Sequence, residues 1–154
     1  MKILKRILLL LFIVFVGIQF IPMKLNVSDE VYETDFMNIY SVPKAISEKL
    51  VVSCYDCHSN NTKYPWYNKI QPVAWYLEGH IKEGKKELNF NEFGNYSVRR
   101  QKSKIKSIIR EIERNKMPLV SYTNMHEDAI LNKDEKKELL GYFEMLKDSI
   151  ENGF

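Results

Sequence analysis

The chain has two cysteines and no others, three positions apart in the run Cys54-Tyr55-Asp56-Cys57-His58. One pair of thiols is too few for the disulfide framework that small loop-rich domains use. A Cys-x-x-Cys pair is instead a redox couple, a metal site, a short-loop disulfide or a cofactor attachment site. The compartment and the neighbouring residues have to choose among these.

The first 23 residues speak to the compartment. Lys2, Lys5 and Arg6 make a basic start, and Ile7 to Met23 is apolar except for Gly17, Gln19 and Pro22. A charged n-region before an apolar h-region is the pattern of an export signal. The stretch Val16-Gly17-Ile18-Gln19-Phe20 offers only glycine as a small residue, and no Ala-x-Ala pattern follows. Residues 1–23 are therefore expected to be an uncleaved anchor. The run lies near the lower limit of about 17 residues for a spanning helix. No polar face interrupts it, as one would in a buried core helix. The basic start is expected to stay in the cytoplasm. The rest of the chain then lies on the periplasmic side of the inner membrane of a bacterial envelope.

Residues 24–41 are polar and mixed, with Asp29, Glu30, Glu33 and Asp35, and are read as a tether. Residues 42–154 are read as one domain. The net charge of +3 is small, so a nucleic-acid partner is not expected.

No segment alternates with period two, so the domain is expected to be mainly α with long loops. Pro43 suits the first turn of a helix, and Ala45, Ile46, Leu50 and Val51 lead into Cys54. Ser59 to Gln71 reads as a loop. Pro72 starts a second helix with Val73, Leu77 and Ile81 as its stripe, ended by Gly84 and Lys85-Lys86. Leu88 to Ser97 reads as another loop. A third helix runs from about Val98 to Lys116, with Ile105, Ile108, Ile109 and Ile112 on one face. A fourth opens with a capping box, Asn132 and Glu135. Its stripe is Leu139, Leu140, Phe143, Leu146 and Ile150, and Gly153 closes it. Long loops without secondary structure need a reason. A large apolar cofactor supplies one.

Cys-x-x-Cys followed by His is the pattern of c-type haem attachment. Thiols three positions apart on one turn can reach the two vinyl groups of neighbouring pyrroles. His58 then lies under the iron as the proximal ligand. Three alternatives remain. A thiol–disulfide oxidoreductase would bring a βαβ pattern, and none is visible. A zinc site of Cys54, Cys57, His58 and either His80 or His126 lacks the usual two separated ligand pairs. A plain disulfide is the third.

A sixth iron ligand has five candidates: Met117, His126, His80, Met125 and Met145. Met117 ends a helix directly before Pro118, which can hold it rigid, and its thioether would raise the potential. It is the expected distal ligand, with His126 next and His80 third. Met145 sits inside the final helix and is expected in the core. The aromatic residues Tyr64, Trp66, Tyr67, Trp75 and Tyr76 either wall the haem or pack loop against helix.

From about Val42 to Leu146 the chain resembles a family of small bacterial haem-binding domains, exported or membrane-anchored and similar to c-type cytochromes. Cys54-Tyr55-Asp56-Cys57-His58-Ser59-Asn60, Thr62, Pro65-Trp66-Tyr67, Ile70, Pro72-Val73 and Trp75 carry the resemblance most specifically. Leu88-Asn89-Phe90, Met117-Pro118, Tyr122, His126 and Leu139-Leu140 carry it more loosely. It implies one haem c held by Cys54 and Cys57, with His58 proximal and Met117 distal. Trp66, Tyr67, Trp75 and Tyr122 are then pocket candidates. The sequence departs from the family at Lys63-Tyr64, Leu119-Val120 and Phe143.

The expected function is a membrane-anchored one-electron carrier, not an enzyme, serving a redox partner protein. The alternative is a haem sensor or peroxidase-like protein with a displaceable sixth ligand.

Overall fold

The structure, a computed structural model, describes residues 1–152. Among them are eight α-helices and no strand. They are α1 (Lys2–Ile18), α2 (Phe36–Ile39), α3 (Lys44–Leu50), α4 (Asp56–His58), α5 (Val73–Glu87), α6 (Val98–Glu113), α7 (Val120–Thr123) and α8 (Lys133–Asn152). A π-helical stretch, Val51–Tyr55, joins α3 to α4, and 3-10 turns occupy Trp66–Lys69, Phe90–Asn95 and Glu127–Ala129.

The core lies between α6 and α8, which pack along one another. Ile105, Ile109 and Ile112 of α6 meet Leu139, Phe143, Leu146 and Ile150 of α8, all buried. Burying one such side chain fully is worth about 1.5–3 kcal/mol. The capping box of α8 forms. Asn132 Oδ1 accepts from the Asp134 and Glu135 amides at 2.9 and 3.0 Å, and Glu135 Oε2 accepts from the Asn132 amide at 2.9 Å. Gly153, expected to end this helix, lies outside the described residues. Met145 is exposed on the outer face of α8 rather than in the core, because the buried stripe runs through Tyr142, Phe143 and Leu146 instead.

The segment expected to be a tether belongs to this body. Phe36 is fully buried at the centre of the core, 5.1 Å from the Phe93 ring and 5.4 Å from the Phe90 ring. Asp35 caps α2 through the Met37 amide at 2.8 Å. Farther back, the Asn26 carbonyl accepts from the Thr62 amide. The Asn26 side-chain amide donates to the Ser59 carbonyl and to Thr62 Oγ1. Polar composition concealed this, because the segment packs through hydrogen bonds and two aromatics, Phe36 and Tyr40.

Leu88–Ser97, expected to be loop, supplies three core residues, Leu88, Phe90 and Phe93. Its 3-10 turn has no helical stripe to show. The Gly94 amide donates to the Thr34 carbonyl at 2.8 Å, and a Cβ on Gly94 would sit 3.1 Å from that backbone. In α5 the buried residues are Ala74 and Ile81, while Val73 is 44% exposed.

α1 stands apart from this core. It buries none of its residues, and no helix among the described residues is long and apolar enough to cross a membrane. The expected spanning anchor therefore has no support in helix length: its 17 residues reach about 26 Å at 1.5 Å each. Gln19, just past its end, ties it to the domain. Gln19 Nε2 donates to the Gln71 carbonyl at 3.1 Å, and Gln19 Oε1 accepts from the Gln71 amide at 2.9 Å.

Candidate functional site

The Cys-x-x-Cys-His run is one winding stretch of helix. Ile46 and Leu50 bury the inner side of α3, and the chain then widens into the π-helical stretch that carries Cys54. Such widened turns are frequent at functional sites. The residues between the cysteines fasten the turn on both sides. The Tyr55 ring stacks flat on Phe90 at 4.8 Å, and its hydroxyl donates to Asp35 Oδ1 at 3.0 Å. Burial, the Asp35 charge and this hydrogen bond together raise its pKa, so the phenol stays a donor. Asp56 faces the opposite way. Its Oδ1 accepts from the Lys63 amide at 3.0 Å, and its Oδ2 from the Tyr122 hydroxyl at 2.7 Å. Behind the turn, the buried Ser53 hydroxyl donates to the Ala129 carbonyl at 3.0 Å.

His58 is held by α5. Its Nδ1 lies 2.9 Å from the Gly84 carbonyl and 3.1 Å from the Leu88 carbonyl. Both partners are acceptors, so the proton sits on Nδ1 and donates to them. Nε2 is then the ring's lone-pair nitrogen. A backbone carbonyl on the outer ring nitrogen is the usual means of orienting a metal-binding histidine. Burial lowers the His58 pKa, opposed by the Leu88 and Gly84 carbonyls. The ring is thus kept neutral, the state a metal requires.

Gly84 makes this approach possible. A Cβ there would sit 2.8 Å from the Cys57 carbonyl oxygen. Helix α5 runs through Gly84 and ends at Glu87, with Lys85 and Lys86 in its last turn as expected. Glycine at this position brings two backbones close.

The two thiols are free and half-buried. Burial, helped by its neighbour Cys57, pushes the Cys54 thiol up to about 12. Burial and the Asp56 charge push Cys57 up to about 11. Both shifts run opposite to the lowered thiol pKa of exchange catalysts. Among the described residues no group of three or more His, Cys, Asp and Glu side chains could hold a bare metal ion.

Two cavities of about 300 and 280 Å³ flank His58. Ser53, His58, Glu87 and Met117 line both. The first adds Cys54, Leu88, Phe90, Ile108 and Ile112, with Lys104, Ser107 and Arg110 also on its lining. The second adds Cys57, His80, Gly84, Pro118, Leu119 and Tyr122. Between them the two linings hold both thiols, one each, with a neutral imidazole, a thioether and apolar walls. A porphyrin with two vinyl groups and an iron suits this donor set.

Met117 reaches this space because α6 stops early. Asn115 takes the left-handed conformation at φ 54°. The Lys116 and Met117 amides both donate back to the Glu111 carbonyl, at 2.9 and 3.2 Å. Helix α6 thus ends at Glu113, before the Lys116 expected from the position of Pro118.

The other candidates fall elsewhere. His126 does not line either cavity. Its Nε2 lies 2.9 Å from the Tyr67 hydroxyl, and its ring stacks on Tyr122 at 4.3 Å. His80 does line the second cavity, with Nδ1 bonded to the Tyr76 carbonyl at 2.9 Å. Met125 is exposed. Of the aromatic candidates only Tyr122 lines one of these cavities, the second. Trp66 is 72% exposed, Trp75 is 40% exposed, and Tyr67 pairs with His126. They belong to the loop and the start of α5, away from the walls. Leu88, Phe90, Ile108 and Ile112 form the walls instead. The first two follow no helical period, so no pattern in the sequence marks them as wall residues.

No curated protein and no solved structure matches the chain. The sequence model of one family, described as Haem-binding domain, does match, over residues 13–145. That span takes in the cysteine turn, both cavities and most of α8, and the chain belongs to the haem-binding domain family.

Proposed function

We propose that this haem-binding protein is a c-type cytochrome that carries single electrons outside the cytoplasm. Cys54 and Cys57 would hold the haem through thioether bonds, His58 Nε2 would take the proximal iron position and Met117 the distal one. The observation that carries this reading is the orientation of His58. Two carbonyls of α5 and the turn after it fix its proton on Nδ1, and the two cavities it lines hold Met117 in both linings and one thiol in each.

The haem, when bound, supplies the one-electron couple of its iron. The protein's part is to bind, orient and exclude water. Tyr55 and Asp56 keep the thiol-bearing turn from rotating. Leu88, Phe90, Ile108 and Ile112 present apolar surface to the macrocycle. Lys104 and Arg110 line the same cavity, where they pair with Glu87 and Glu111. A thioether ligand favours the reduced iron.

Residues 1–23 serve in this reading as export signal and membrane attachment. The exposed Phe20 and Ile21 lengthen the apolar segment beyond α1. The domain then faces the periplasm or cell exterior, where a redox partner protein exchanges electrons with it.

His80 favours a second reading. A histidine in the cavity that also holds Met117 is placed to serve a sensor or peroxidase-like site with a displaceable sixth ligand. The test is Met117→Ala in the haem-loaded protein. An electron carrier with a Met117 ligand shows reversible one-electron titration, refuses carbon monoxide, and on substitution loses potential and binds the gas. Carbon monoxide binding by the unsubstituted protein favours the His80 reading.

A further inference from the structure

The chain has two tryptophans, Trp66 and Trp75, and both are exposed on the segment 66–76. Ile70, Val73 and Tyr76 of the same segment are exposed as well, at 39%, 44% and 60%. The segment comprises the 3-10 turn Trp66–Lys69, the bend after it and the first turn of α5. None of these five side chains lines the haem cavities. The buried face of α5, Ala74 and Ile81, points away from them. Isolated exposed apolar residues need no explanation. Five in one short segment, including every tryptophan of the chain, do.

Gln71 lies inside this segment, and it is the residue that grips the end of α1 by paired hydrogen bonds with Gln19. An unpacked apolar helix and an unpacked aromatic face therefore emerge side by side. Trp and Tyr settle at the boundary between hydrocarbon and headgroups, where the ring is half apolar and the N–H or O–H stays wet. Lys69, in the same turn and exposed, supplies a cation for lipid phosphates.

We propose that the 66–76 face lies on a lipid bilayer, with Trp66, Trp75 and Tyr76 at headgroup depth beside the point where α1 enters. The proposal rests on α1 being the membrane attachment. It adds a second contact that fixes the orientation of the haem domain above the bilayer.

The test uses the full-length haem-loaded protein in phosphatidylcholine and phosphatidylglycerol vesicles. Tryptophan emission is compared between plain lipid and lipid brominated near the headgroup end of its chains. Quenching by the haem is the same in both vesicle types and cancels in the ratio. Trp66→Phe and Trp75→Phe variants assign the signal to each residue. The expected result is loss of most of the emission in brominated vesicles for both tryptophans. If the protein floats with the vesicles while its emission is the same in both lipids, the face proposal is overturned and the anchor stands. If it does not float, both fail.

Discussion

At the scale of single residues, the positions between the cysteines have structural work that the motif leaves unspecified. Tyr55 ties the turn to the core through Phe90 and Asp35, and Asp56 ties it to the loop and to Tyr122. Charge-assisted hydrogen bonds contribute about 1.5–3 kcal/mol each. Asp56→Ala removes the acceptor for both the Lys63 amide and the Tyr122 hydroxyl. It should cost about 2–3 kcal/mol, read as a lower urea midpoint. Tyr122→Phe should cost less, since the Asp56 carboxylate keeps its Lys63 partner. Equal midpoints for Asp56→Ala and the unsubstituted protein would show that the loop is held by other contacts. The roles of Tyr55 and Asp56 were invisible in the sequence because their partners, Asp35, Phe90 and Tyr122, lie 20 to 66 positions away along the chain.

At the scale of elements, two stops decide the site. One is the end of α6. The left-handed Asn115 turns the chain so that Met117 faces the cavity. Left-handed backbone costs an ordinary L-residue about 1–2 kcal/mol, and Gly and Asn least. Asn115→Gly keeps the backbone and loses only the exposed hydrogen bond from Lys136, so it should cost little, whereas Asn115→Ile should lower stability by about 1–2 kcal/mol and weaken the proposed Met117 ligand, seen in the absorption spectrum. Unchanged spectra and stability in Asn115→Ile would remove Asn115 from the placement of Met117. The other is the end of α5. In its last turn Gly84 is the crossing point with the Cys57 backbone. Its carbonyl also holds His58. Gly84→Ala puts a Cβ against an immobile backbone oxygen, and overpacking of this kind costs about 1–3 kcal/mol. The expected result is a lower melting temperature and a lower yield of haem-loaded protein. Full yield with unchanged stability would mean that α5 can move off the turn without loss. Sequence showed a glycine in a helical context but could not show what lay across from it.

At the scale of the whole molecule, the sequence was most legible where periodicity is strong. The α8 stripe and its capping box, and the α6 isoleucines, stand where they were expected. It was least legible where the core is built from non-periodic segments. Phe36, Phe90 and Phe93 lie in short helices or 3-10 turns, so the domain begins well before Val42. The aromatic loop reads two ways, as haem wall or as packing of loop against helix; its tryptophans are exposed, and the cavity beside Cys54 is lined by Leu88, Phe90 and α6. The Cys54–His58 motif is local and stands out in the sequence, but the contacts that hold its turn do not. The family match makes the chain a haem-binding protein. Covalent attachment at that turn is the central claim. It is tested most directly by expressing the full chain with a cytochrome maturation system and staining a denaturing gel for haem. A haem-stained band at the size of the chain, absent from Cys54→Ala/Cys57→Ala, is the expected result. A wild-type chain that reaches the envelope and carries haem in native buffer, yet shows no stain after denaturation, contradicts it.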